Sequence, residues 1–367
     1  MDRNKSIDAL RGIAAIMVMV LHVGTSFLQL PGIKKHGDGL IDFLSTFDLG
    51  RIGITIFFII SGFVICKSIR GLKLPATKRF LMKRFFRLYP LFWFSMLAGL
   101  IFIWYINDRD ISPSLILANA TMLPALFGED FIIGLYWTLE TELFFYLLVV
   151  IFFLAGGLRN PTVLVITTLF LYLILGIFNF VPQVSIDLPH WRSTPYHLSL
   201  MIYGILFRYW YDQDSDTSGS YQYLSVAQGF FLQSLIIIFV PIAVFLRQGL
   251  NPGTELVSDA IAYLTGISMF AVGLYLWKRP TPFFSYLGKI SYSIYLMHPV
   301  VLYTVLFFAE RNEILGQWHI SVYLIICSIF SIAVAHFTYK WIEEPFNQRG
   351  HEKADKIREG KFNESTQ

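Results

Sequence analysis

The chain has 367 residues, 55% of them hydrophobic and only 15% charged, whereas soluble domains carry about 25% charged residues; water is excluded as its main solvent. The formal net charge is a modest +4, no nucleic-acid partner is expected, and the distribution of charge matters more than its sum. Cys66 and Cys327, the only cysteines, both lie in apolar runs, which excludes a disulfide framework and a thiolate zinc site.

Apolar stretches of about the 20 residues that a bilayer requires stand near 12–30, 49–66, 88–106, 134–155, 162–181, 196–210, 229–247, 257–277, 290–309 and 320–342. The expected fold is therefore all-α: a polytopic integral membrane helical bundle of about ten transmembrane helices. One membrane domain is expected over 1–345, followed by a short polar cytoplasmic tail over 346–367. The stretch 113–127 (PSLILANATMLPALF) is apolar enough to lie in the interface or to dip into the membrane.

Between the second and third stretches, Lys67, Arg70, Lys73, Lys78, Arg79, Lys83, Arg84 and Arg87 fall within 21 residues, so this loop is read as cytoplasmic by the positive-inside rule. An even number of spans then puts both termini on the same side. The loops near 31–48, 107–133, 182–195, 248–256 and 310–319 hold few cations and are expected outside. The first apolar run is long, contains Arg11 and ends without a small-residue cleavage site, so it reads as a retained helix.

In that first helix, Asp8 precedes Arg11 by three residues and can pair with it. Arg11 and His22 are eleven residues apart, which puts them on one face, about 16 Å apart along the axis. Charged groups inside spans usually face a cavity or a partner; the alternative is an Arg11 that snorkels to headgroups and a His22 that bonds a neighbouring helix. Arg84 and Arg87 share a helical face at the start of the third span, where paired guanidiniums either bind phosphates or only anchor the topology. Glu140 and Glu142 stand at the expected outer start of the fourth span and point to different faces. Either can orient a histidine or simply be solvated. In GKISYSIYLMHP at 288–299, Tyr295 and His298 are neighbours on one face just before Pro299; a packing role and a site role are both open for His298. His190, His319 and His336 show no partner spacing. Phosphate-cradling glycine loops, HExxH and serine elbows are absent.

Taken in order, DALRGIAAIMVMVLHV, FFIISGFVI, KRFFRLYP, WTLETELFFYLL, ISYSIYLMHP and YKWIEEPF resemble the acyltransferase-3 family of membrane O-acyltransferases along the whole chain. The resemblance implies transfer of an acyl group, most commonly acetyl, from cytoplasmic acyl-CoA as donor substrate to a hydroxyl of an extracytoplasmic or lipid-linked saccharide. It implies no permanently bound cofactor and no metal, and a multi-pass protein of the bacterial inner membrane whose partners are acyl-CoA, the saccharide acceptor and the bilayer. By position, His22 corresponds to the family's essential first-helix histidine, Arg11 to its partner, Arg84 and Arg87 to donor-side arginines, and Glu142 rather than Glu140 to the acidic position. Asp8, Ser61, Tyr146, Tyr295 and His298 are further candidates. His22 is expected to act as general base or as transient acyl carrier, with Glu142 orienting it or binding the acceptor. Loops 107–133 and 182–195 are the expected places for acceptor choice; Trp191 can stack on a sugar or sit in an interfacial belt. A transporter or flippase is the rival class, because intramembrane Arg, His and Glu also mark transport pathways.

Overall fold

The computed structural model describes residues 4–28, 47–105, 110–180, 189–212, 223–248, 255–312 and 317–364, with residues 39 and 43 besides. The expected outer loops at 31–48, 182–195, 248–256 and 310–319 lie wholly or partly outside them. Among the described residues every regular element is a helix. These are α1 (Lys5–Leu28), α2 (Leu49–Ile65), α3 (Lys73–Gly99), α4 (Pro113–Ala120), α5 (Trp137–Ala155), α6 (Pro161–Phe180), α7 (Pro189–Tyr211), α8 (Val226–Gln248), α9 (Glu255–Leu276), α10 (Pro282–Lys289), α11 (Ser291–Arg311), α12 (Ile320–Thr338) and α13 (Glu344–Glu364). π-helical stretches extend α3 over Leu100–Tyr105 and join α12 to α13 over Tyr339–Glu343.

Each of the ten apolar stretches falls on a helix. Among the described residues, eight helical runs are long and apolar enough to cross a membrane; of the other two, α2 has only 17 residues, and α7 opens with the polar run PHWRST. The protein is thus an all-α polytopic helical bundle. The polar tail continues as helix α13 rather than as loose chain.

Contacts divide the chain into two compact units. The first holds Met1–Ile56, Phe86–Tyr136 and Ala243–Gln348, the second Phe57–Phe85, Trp137–Ile242 and Arg349–Gln367. In the first unit α1 is central and packs against α9, α10, α11 and α12. Its buried face carries Ala9, Gly12, Ala14 and Ala15, small residues that let helix backbones approach closely in lipid. The approach is tightest at α10, where a Cβ on Gly288 would stand 1.7 Å from the backbone oxygen of Asp8. Asp8 lies beside Gly288 and His22 beside His298, so α1 runs parallel to the α10–α11 pair.

Also in the first unit, residues 110–136 form a hairpin along α3 instead of an outer loop. Asn119 holds its two limbs together, donating from Nδ2 to the Leu115 and Asp130 oxygens and accepting from the Ile132 amide. The indoles of Trp104 and Trp93 and the hydroxyl of Tyr89 donate to the backbone oxygens of Ile132, Ala120 and Thr121. From Trp104 to Tyr89 these anchors run about 22 Å along the helix, most of a roughly 30 Å hydrocarbon core. The apolar run at 113–127 thus lies against α3, helical over Pro113–Ala120.

In the second unit α7 packs against α5 and α6. The second half of α2 meets α7 through Gly62, where a Cβ would stand 1.7 Å from the Met201 oxygen.

Candidate active site

In the first unit, α1 presents His22 to α11. His22 Nδ1 lies 2.9 Å from His298 Nε2. The ring planes differ by only 8° and the centroids are 5.2 Å apart, the separation that such a contact gives when two imidazoles meet edge to edge in one plane. His298 is fully buried, and its Nδ1 lies 3.0 Å from the Ile294 carbonyl oxygen. Tyr295 sets its ring edge-on to His298 and donates its hydroxyl to the Leu135 oxygen. The Asp48 charge also reaches His22; Asp48 pairs with Arg51, which binds Asp259 at 2.7 Å and lies over the Tyr263 ring. Each histidine was visible in the sequence, but 276 residues separate them and no local spacing announces the pair.

The same unit brings Arg11 and Arg87 to a residue that the sequence reading missed. Glu343, on the π-helical stretch before α13, is buried and accepts from Ser293 Oγ at 2.6 Å. The charges of Arg87 and Arg11 both act on it. Glu343 stands in YKWIEEPF beside Lys340 and Glu344, so it did not stand out as a lone charge in an apolar span the way Arg11 did. The π-helical winding sends Glu343 inward while Trp341, two residues earlier, stays exposed; such local widening is common at functional sites. Asp8 is buried on α1 with its backbone against Gly288.

The second unit holds the other candidates. Arg84 Nη2 donates to Ser68 Oγ at 3.1 Å, and its guanidinium lies 5.1 Å over the Tyr146 ring. The Tyr146 hydroxyl donates in turn to Glu142. Glu142 therefore stands one side chain away from Arg84. Glu140 is the more deeply buried carboxylate; it accepts from Trp191 Nε1 at 3.2 Å and lies 3.6 Å from His190. Trp191, read as a sugar platform or belt residue, is thus engaged in holding Glu140, and His190 has a partner that spacing did not show. Ser61 is half-buried on α2. Arg84 and Arg87 share one helix, yet Arg84 meets Ser68 and Tyr146 while the Arg87 charge acts on Glu343.

A family model described as an acyltransferase domain matches residues 4–339. The chain is 27% identical over 323 residues to Exopolysaccharide production protein ExoZ of Rhizobium meliloti, a match covering 83% of this chain and 92% of that protein. No solved structure matches. A helical membrane bundle that matches this family over nearly its whole length, with the ordered motifs from DALRGIAAIMVMVLHV to YKWIEEPF, belongs to the acyltransferase-3 family of membrane acyltransferases.

Proposed function

We propose that this acyltransferase takes an acyl group, acetyl first among them, from cytoplasmic acyl-CoA and delivers it to a hydroxyl of an extracytoplasmic or lipid-linked saccharide, in the bacterial cytoplasmic membrane with both termini inside. The observation that carries the reading is His22 held against His298 on the same helix that bears Arg11. A relative named for exopolysaccharide production supports a saccharide as acceptor.

In the proposed reaction His22 accepts the proton of the acceptor hydroxyl while that oxygen attacks the thioester carbonyl. The carbon–sulfur bond breaks, and the CoA thiolate takes the proton back from the His22 imidazolium. Arg84 and Arg87 bind the donor phosphates. Arg11 stands about 16 Å along α1 from His22, a distance that an extended pantetheine arm can bridge. Glu142, acting through Tyr146, braces Arg84 on the donor side. No resident cofactor takes part, since acyl-CoA is a substrate.

The test is release of free thiol from acetyl-CoA by the purified protein with saccharide acceptors. His22→Ala is expected to lower turnover about 10²–10⁴-fold, against about threefold for the loss of a single interhelical hydrogen bond of about 0.6 kcal/mol. A monodisperse His22→Ala protein within threefold of wild type would overturn the assignment. Saccharide flux without thiol release would favour a flippase.

A further inference from the structure

We infer that His298 is a positioning residue that fixes the ring tautomer of His22, leaving His22 Nε2 as the bare nitrogen that receives the proton. The inference rests on the reading of His22 as general base and follows the hydrogen atoms from the inside of the pair outward.

The Ile294 carbonyl can only accept, so the 3.0 Å contact with His298 Nδ1 places a proton on that nitrogen. A neutral imidazole carries one ring proton. His298 is fully buried, where an uncompensated imidazolium is expensive, so its Nε2 holds a lone pair. The 2.9 Å contact between that nitrogen and His22 Nδ1 then needs its proton from His22. With Nδ1 as donor, His22 Nε2 is left as an acceptor.

The coplanar, edge-to-edge meeting of the rings points the His22 N–H along the His298 lone pair, and it holds the His22 ring against rotation about its own bond to the backbone. The other charged or titratable groups that bear on the pair are Asp48, itself paired with Arg51, and Tyr295, which abuts His298. None of these competes for His22 Nδ1. Asp48 is suited instead to steady the positive charge that His22 gains during transfer. A packing role for His298 would ask only for a flat side chain of similar volume; a positioning role asks for an acceptor at the place of Nε2. Gln supplies such an acceptor and Phe does not.

The experiment labels histidine ring nitrogens with ¹⁵N in the full-length protein and assigns His22 by comparison with His22→Gln. Wild type should show His22 protonated at Nδ1 and bare at Nε2, and an Nε2-protonated His22 would overturn the proposal whatever the variants do. His298→Gln should keep that signature and most of the transfer activity. His298→Phe should lose the signature and lower turnover by about 10²–10⁴-fold, the range expected when a general base is lost or misdirected, in protein that stays monodisperse. An unchanged His22 signature in His298→Phe, or equal activity losses in the Gln and Phe variants, would return His298 to packing. The tautomer is read without any substrate. A correct tautomer in a protein that releases no thiol therefore counts against the acyl-transfer reading and leaves the His22–His298 relation standing.

Discussion

Ser293 donates to Glu343 across 2.6 Å, and the charges of Arg11 and Arg87 converge on the same carboxylate. Groups on three other elements, α1, α3 and α11, thus act on one buried acid. Removing one member of a buried charge group leaves the others uncompensated and costs about 3–5 kcal/mol. Glu343→Ala is accordingly expected to lower the melting temperature in detergent sharply. Ser293→Ala, which deletes one hydrogen bond to a charged group, should lose about 1.5–3 kcal/mol. Unchanged melting in both variants would show that the cluster carries no net structural weight.

Replacing Arg84 and Arg87 together with Ala should weaken acetyl-CoA binding far more than acceptor binding. Each charge-assisted contact is worth about 1.5–3 kcal/mol, so the double variant should lose at least a hundredfold in donor affinity, measured by calorimetry. Lys should restore only part of it, since it lacks the planar fork. Tyr146→Phe keeps the ring beneath Arg84 but frees Glu142 and should cost less than either arginine. Unaltered donor affinity in the double variant would leave these arginines as headgroup anchors.

Two glycines should respond in opposite ways to alanine. At Gly288 the added methyl collides with the Asp8 backbone, so Gly288→Ala should push α1 off α10, destabilise the fold and disturb the histidine pair. At Gly176 on α6 nothing lies within 4 Å of the added carbon, and Gly176→Ala should gain up to about 1 kcal/mol from helix propensity. Melting curves of the two variants decide both claims.

Acid should remove one tie in the second unit. Burial alone would raise the Asp212 carboxyl, but hydrogen bonds from Arg208 at 2.8 Å and Lys67 at 2.6 Å outweigh it and hold the group below its usual range. A depressed folded value means that the contribution is complete above the unfolded value of about 3.9 and is lost as pH falls through the folded one. The melting-temperature gap between wild type and Asp212→Asn should therefore persist at pH 7 and close below pH of about 4. A gap independent of pH would mean that the aspartate acts through shape and not through charge.

The sequence announced the helices because a lipid-embedded span must be long and apolar, a local property of about 20 consecutive residues. It also announced Arg11, His22, Arg84 and His298 as residues out of place in such surroundings. What it could not announce was partnership. His22 finds His298, and Arg11 and Arg87 find Glu343, through helix packing that no window of sequence spans. Glu142 likewise meets Tyr146 and, through it, Arg84 by contacts between α5 and α3 that no window of sequence spans.

The packing of α1 sets the order in which the enzyme can become an enzyme. Its partners α9 to α12 are made in the last third of the chain, so the first helix to leave the ribosome is the one that must wait. At about 5–20 residues per second, the 276 residues between His22 and His298 take about 14–55 s to synthesise. Throughout that interval Arg11 and His22 stand in or near the bilayer without their final neighbours, and an insertase or the lipid headgroups must shelter them. A chain released before α11 can insert its early helices and still hold only half of the histidine pair, so biogenesis itself withholds activity until the end of translation.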